Sequence, residues 1–478
     1  MKRSRFFAVL GACVATLLLA ILDINIVTNT GTAIARDIDP HGGVSQVPWL
    51  VAIYALVATV VQPLYGKLAD SAGPKIVYLI TVGLFIGGSL LCAAATSMPE
   101  LLLFRAVQGL GGGGLLSVTV VILGHLRAEN PEMSGDGGNA AAGLMVGLGL
   151  VAGPLVGGTL VAHGSWRWIF LINIPLAAAA WIVVATCLRL PRTGYRGGLD
   201  LPGAAALAGA ATCLLLACQW GGQRYPWLSP LILALALAGL ALAATFGYRQ
   251  AHSPAPFYPP RLLRHRTLRV VSALQLATGC GMAAATIYVT LDLELVRHIS
   301  ASGTGVLLLP MAAGLALGAA GGSLILARAR SVRPSILLGT ALAGLALGGL
   351  ALTGVGTPLA VLLGLLLVLG LGVGFGIGNE MILVQNSVER RDLGTATTGV
   401  RFTETLGTSV AAAAFAALFA AGTAHGQFTP AHVMGALDVI FGIGAGLLAV
   451  ATVIGTRLPA GRLANRPGDQ LGHAEQPV

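Results

Sequence analysis

Apolar runs of about 20 residues recur along the whole chain, separated by short polar segments. This is the spacing of α-helices that cross a bilayer. The runs fall near 7–30, 47–65, 77–96, 101–124, 139–162, 168–188, 201–219, 229–247, 270–291, 303–326, 335–353, 358–384, 395–420 and 434–456. They predict an all-α integral membrane protein of fourteen spans. The first run follows Met1-Lys2-Arg3-Ser4-Arg5, and its length and internal Asp23 mark it as a span, not a cleaved leader. The longest polar connection, 248–268, is rich in proline and predicts irregular chain. Joints near 190–200 and 248–268 divide the sequence into a six-helix bundle over 1–190, two additional helices and a linker over 191–268, a second six-helix bundle over 269–457, and a disordered tail over 458–478.

Composition strengthens this reading. The 478 residues are 55% hydrophobic and only 10% charged, where soluble domains carry about 25% charged residues. The 67 glycines suit helices that approach closely in lipid. A net charge of +10 raises nucleic acid as a partner, but the charges sit in short segments between apolar runs and form no basic stripe with aromatics. With the N-terminus inside, about 22 of the 28 Lys and Arg fall on the inner side and about 4 outside. Both termini are therefore expected in the cytoplasm. Cys13, Cys92, Cys187, Cys213, Cys218 and Cys280 all lie in apolar runs without metal-ligand spacing, which reads as packing, with neither metal nor disulfides expected. The excess of arginine over lysine, with abundant alanine and glycine, points to a high-GC bacterial genome.

Each polar group that interrupts an apolar run is a candidate for chemistry. Between the second and third runs stands Gly66-Lys67-Leu68-Ala69-Asp70-Ser71-Ala72-Gly73-Pro74-Lys75. Gly66 and Gly73 permit a tight turn, and Asp70 and Lys75 offer charges to neighbouring helices; an ordinary charged loop is the alternative. The fourth run opens with Arg105-Ala106-Val107-Gln108-Gly109. An arginine inside an apolar helix needs a partner, and Asp23 is the candidate. Asp23 lies about 7 residues and Arg105 about 5 from the outer ends of their spans, so both stand roughly 8–10 Å below the boundary. In the fifth run, Gly149, Gly153 and Gly157 form a smooth stripe beside Gly158, and Pro154 bends the helix. A moving interface and plain close packing both fit that pattern.

Together these strings resemble the major facilitator superfamily, and within it the fourteen-span drug:proton antiporters, an actinobacterial type of multidrug or natural-product exporter. Leu22-Asp23-Ile24-Asn25-Ile26-Val27 is similar to that family's acidic motif in span 1, residues 66–75 to its signature loop, Arg105–Gly109 to its span-4 motif and Gly149–Gly158 to its antiport motif. Ser165-Trp166-Arg167-Trp168-Ile169-Phe170-Leu171-Ile172-Asn173-Ile174-Pro175 matches its fifth outer connection, and Asp200-Leu201-Pro202-Gly203 and Arg391-Asp392-Leu393-Gly394 match the starts of later spans. The resemblance covers nearly the whole chain. It implies a major facilitator fold of two six-helix bundles plus two helices, and a monomer in the bacterial cytoplasmic membrane. It also implies proton antiport with Asp23 and Arg105 as the coupling pair, and the proton gradient in place of any cofactor.

The chain departs from the family pattern at Ser71, Pro74, Thr32 and Ser134–Gly137, where basic residues or a proline are usual. In span 13 Glu404 stands where relatives often carry arginine. Arg401 and Glu404 are i and i+3, neighbours on one helix face, about 14 Å into the span for Glu404. They read either as a self-neutralised pair or as a carboxylate offered to a proton or substrate. Glu380 reads as interfacial, snorkelling to water, with a substrate or second proton site as the alternative, and Asn25 is a further polar candidate for such a site. Asp292 and Glu294 are expected at the outer surface.

The cavity is expected to be mainly apolar, favouring amphipathic and even cationic small molecules. A proton-coupled nutrient symporter and a non-transporting receptor or scaffold are the competing functions. No HExxH, GxSxG or phosphate loop is present, which argues against an enzyme.

Overall fold

The computed structural model describes residues 3–39, 47–129, 165–188, 200–222, 224–253, 260–299, 301–329, 331–376, 378–423 and 430–458. Among the described residues, twelve helices are long and apolar enough to cross a membrane. The helix at the seventh expected span is shorter, with an apolar stretch Pro202–Cys218. The fifth expected span, 139–162, lies outside the described residues. Helix is what hydrocarbon favours, because every backbone N–H and C=O must be satisfied within the segment or by buried neighbours.

The first bundle contains α1 (Arg3–Ile38), α2 (Val47–Ala72), α3 (Pro74–Ala94), α4 (Met98–Glu129), the short α5 (Arg167–Leu171) and α6 (Asn173–Cys187). The turn from α2 to α3 is made by Gly73 at φ 93°, followed by Pro74 at the head of α3. Only glycine takes that backbone conformation without strain, and proline is preorganised for the first helical position. α4 packs against both α2 and α3, and α1 against α4 and α6. The glycines of α4 permit this: a side chain on Gly111 would run into the backbone of Phe85. Phe6, Tyr78, Phe85, Val118 and Ile122 form the apolar core of this half.

Two further helices follow, α7 (Leu201–Trp220) and α8 (Pro230–His252), packed against each other. α7 also touches α2 and α16 (Leu393–Thr423), so it borders the seam between the halves. Leu233, Leu237 and Leu240 of α8 are exposed, an apolar face suited to lipid. Asp200 caps α7 by accepting the N–H of Gly203 at 3.0 Å and binds Arg249 of α8 at 2.6 Å.

After α9 (Pro260–Arg264), the second bundle runs through α10 (Arg266–Ala283), α11 (Ala301–Leu307), α12 (Leu309–Ala329), α13 (Arg333–Leu350), α14 (Leu359–Gly376), α15 (Asn379–Asn386), α16 and α17 (Pro430–Gly455). Past Ala283 the α10 segment loosens into π-helical turns at Ala284–Tyr288 and Asp292–Val296. The strongest packing joins α12 with α14, α10 with α16, and α13 with both α14 and α17. Tyr288, Leu347, Phe415 and Phe441 lie in its core.

Two expectations are corrected. Asp292 is not at the surface: it is 2% exposed and pairs with Arg297 at 3.3 Å. Glu380 does not snorkel to water: it is 4% exposed, because the chain breaks before α15 and turns its first residues into the bundle.

Candidate functional site

Asp23 and Arg105 meet. Nη1 of Arg105 donates to Oδ2 of Asp23 at 2.7 Å, and both side chains are fully buried. The matched depths in the two spans bring them level, and the packing of α1 on α4 brings them into contact. Gln108, one turn after Arg105, accepts from Nη1 at 2.6 Å and donates to Oδ1 of Asp23 at 3.0 Å and to Ser89 at 2.9 Å. Asn173, at the head of α6, donates to Oδ1 of Asp23 at 2.7 Å. Arg105 Nε donates to the Leu50 carbonyl at 3.1 Å, and the guanidinium lies 4.3 Å from the centroid of the Tyr54 ring, a favourable placement for a cation. The carboxylate therefore accepts three hydrogen bonds, one of them from its counter-charge. Removing one partner from such a pair leaves a buried charge uncompensated, at about 3–5 kcal/mol.

Asn173, Ser89, Tyr54 and the Leu50 carbonyl are absent from the candidates read in the sequence. Asn173 and Tyr54 are common residue types in apolar context, and no local pattern assigns them to Asp23. Gly109 has its role in packing: an added Cβ would lie 2.8 Å from the Tyr54 carbonyl.

A second cluster ties the halves together at one end. Asp70, in the last turn of α2, accepts the N–H groups of Gly394 and Thr395 at 2.7 Å each, and the Thr395 hydroxyl at 2.7 Å. These are the unpaired donors at the start of α16, and the positive end of the helix dipole favours an anion there. The close approach requires Gly66, where an added Cβ would collide with Thr398 and lie 2.7 Å from the Gly394 carbonyl. Gln385 of α15 donates to the Val120 carbonyl of α4 at 3.2 Å, and Arg261 of α9 holds Asp392 with Nη2 at 2.8 and 2.9 Å. Lys75 turns to its own bundle, donating to the carbonyls of Ala185 and Leu188 at 2.7 and 2.9 Å.

Arg401 and Glu404 bind each other at 2.7 Å and are each about one quarter exposed, 29% and 26%. Asn25 lies in α1, and its side chain is outside the described residues. Gly149, Gly153, Pro154, Gly157 and Gly158 also lie outside them, so the structure leaves their role where the sequence put it.

Beside the seam lies a cavity of about 360 Å³ bordered by Pro63 of α2, Leu207 of α7, Phe246 of α8, Phe402 of α16, and Leu268 and Arg269 of α10. Its wall is mainly apolar, with one guanidinium. Neither Asp23 nor Arg105 lines it, so this cavity and the buried ion pair are separate features.

Comparison with known proteins adds the following. The family profile described as Major Facilitator Superfamily matches residues 6–412. An MFS-type transporter of Mycobacterium tuberculosis is 33% identical over 78% of this chain and 54% of its own length. This chain thus spans about half of that relative. The multidrug transporter protein MdtP of Bacillus subtilis is 28% identical over 80% of this chain and 70% of its own. An efflux pump of Gibberella fujikuroi is 29% identical over 84% and 73%. Among solved structures, the human organic anion transporter MFSD10 (TETRAN) superposes with a TM-score of 0.68 at 15% identity, covering 94% of this chain and 99% of that one. At that identity the likeness concerns the fold.

Proposed function

The chain belongs to the Major Facilitator Superfamily, and from that premise we propose that it is a proton-coupled exporter of small amphipathic molecules. It is a multi-pass membrane protein of a transporter family and not an enzyme. In our reading it has fourteen spans and sits as a monomer in a bacterial cytoplasmic membrane with both termini inside. The two bundles rock against each other and expose a central site to either side in turn.

The observation that carries this reading is the buried Asp23–Arg105 pair, enclosed by Gln108 and Asn173. Protonating Asp23 removes its attraction to Arg105. The resulting imbalance, about 3–5 kcal/mol, is comparable with the roughly 5.5 kcal/mol that moves a two-state equilibrium from 1:99 to 99:1. Asp23 is wholly enclosed in the arrangement described, so taking up its proton on one side and releasing it on the other both require the helices around it to move. Inner loops rich in arginine put the Asp70 end in the cytoplasm. The arrangement described is then the one closed to the cytoplasm, with Asp70 as its latch on α16.

Export is favoured over nutrient uptake because relatives across most of the chain are named multidrug transporter and efflux pump. The cavity beside α7 and α8 suits an amphiphile. Arg269 at its edge favours a neutral or anionic head over the cationic one expected from composition.

The test uses everted vesicles holding an internal proton load, with a panel of amphipathic drugs. An exporter dissipates the gradient when its substrate is added outside, and Asp23→Asn abolishes the response while the protein still accumulates. Gradient-dependent transport retained by Asp23→Asn rules out this coupling scheme. Substrate uptake that runs with the proton identifies a symporter, and no response to any compound revives a receptor or scaffold.

A further inference from the structure

The twelfth expected span is broken. α14 ends at Gly376, α15 starts at Asn379, and Gly378 between them sits at φ 79°. A break inside a span frees backbone groups that must find partners away from water. Here Ser335 and Asn379 both donate to the Phe375 carbonyl, at 2.7 and 3.0 Å, and Asn379 donates to Ser335 at 2.9 Å. The break is braced by side chains from two helices. Interrupted helices of this kind are where transporters place coupling ions.

Glu380 follows the break directly. Its Oε1 lies over Gly376, 3.4 Å from where a Cβ would stand, and its Oε2 is buried without a hydrogen-bond partner among the described residues. It faces a void of about 20 Å³ whose other polar groups are Thr278 of α10 and Thr340 of α13. The Thr278 hydroxyl is likewise buried and unpartnered among the described residues. The Thr340 hydroxyl is engaged, donating to the Ile336 carbonyl at 3.1 Å and accepting from Thr452 at 2.9 Å. A void of this size holds one water molecule.

Among the described residues, the helices packed on α15 present no cation to Glu380. α10, α13 and α14 bring only hydroxyl, glycine and apolar groups to the void. From α16 the charge that reaches Glu380 is the carboxylate of Glu404, itself bound to Arg401 at 2.7 Å. A carboxylate anion in such surroundings is strongly disfavoured, and the N-terminal dipole of α15 is a smaller effect than the hydration lost. A metal cation needs a shell of several oxygen ligands, more than one carboxylate and two hydroxyls around a single-water void. A proton needs the carboxylate alone.

We propose that Glu380 is a second proton-binding residue of this chain, held at the break as a neutral acid in the arrangement described. It takes its proton from water and returns it to water when the bundles rearrange. The inference rests on the exporter reading only for what that proton drives; the binding itself rests on the surroundings of Glu380.

Infrared spectroscopy of the full chain in lipid nanodiscs tests this. At neutral pH the wild type carries a carboxylic-acid C=O band that Glu380→Gln lacks and Asp23→Asn retains, and the band disappears as pH is raised. Should Glu380→Gln fail to accumulate, Glu380→Asp shifts the band in frequency; an unshifted band overturns the proposal. Identical spectra for wild type and Glu380→Gln also overturn it, as does loss of the band on adding sodium chloride at constant pH, which marks a metal-ion site. A band that behaves as expected in a protein whose substrates leave the proton gradient intact removes the antiport reading and keeps the proton on Glu380.

Discussion

Asp70 and Thr395 stand 325 positions apart in sequence, yet one oxygen of the Asp70 carboxylate accepts both the N–H and the hydroxyl of Thr395, at 2.7 Å each. The other oxygen accepts the N–H of Gly394 at 2.7 Å. One side chain at the end of α2 thereby serves as the cap of a helix in the opposite bundle. In the proposed rocking motion, opening this end of the molecule would break all three bonds at once, which is the ground for proposing the contact as a latch.

Asp70→Ala should weaken that latch. Hydrogen bonds to a charged group contribute about 1.5–3 kcal/mol each, so losing even one net bond shifts the closed-to-open ratio about tenfold or more. Spin labels at Ala72 and Asn386, exposed on either side of the seam, should show a longer-distance population absent from the wild type. An unchanged distance distribution would mean that the latch does not hold the ends together.

Gly66→Val should act at the same place by a different cause. The added side chain meets Thr398 and the Gly394 carbonyl, so α2 and α16 cannot close to their present separation. The same label pair should read an open end, and Thr398→Ala on the Gly66→Val background should recover part of the closed population. Recovery is partial because the Gly394 carbonyl remains in the way.

Arg105→Lys should fail almost as fully as Arg105→Ala in transport. The guanidinium simultaneously donates to Asp23, Gln108 and the Leu50 carbonyl and lies over the Tyr54 ring. A single ammonium keeps the charge but cannot reproduce that fork. Thermal unfolding in detergent should separate the two variants, because the lysine still compensates Asp23 whereas the alanine leaves it alone, at about 3–5 kcal/mol. Near-normal transport by Arg105→Lys would reduce the site to a simple charge pair.

Asp200 gives a pH dependence. The hydrogen bond from Arg249, helped by the N–H of Gly203, holds its carboxyl below the ordinary carboxylate value. A depressed acid contributes stability that is present at neutral pH and lost as pH falls through its folded value. The contact between α7 and α8 should therefore loosen only in strong acid, below the range where a free aspartate titrates. Asp200→Ala should loosen it at neutral pH by about 1 kcal/mol through loss of the helix cap. Hydrogen exchange of the backbone amides in the first turn of α7, beside the Asp200–Arg249 contact, reads both effects.

The apolar periodicity was enough to read a helical membrane protein, the twelve spans found among its described residues and the isolation of a few charges inside them. Burying those runs in lipid is a property of each segment by itself. The depth of Asp23 and Arg105 was also legible, since helical rise is the same everywhere, and the i,i+3 spacing announced the Arg401–Glu404 pair. What surrounds a charge is another matter. That Asn173 completes the shell of Asp23, that Asp70 caps α16, and that Glu380 faces inward beside a broken helix all depend on which helices touch and on where one helix stops. Those are contacts between segments tens to hundreds of residues apart, and the hydropathy of neither segment encodes them. The chain alone thus determined its solvent and most of its helices, while the packing of the two bundles decided which charges are paired, which cap a helix of the opposite bundle and, among the described residues, that Glu380 is buried with one oxygen unpartnered.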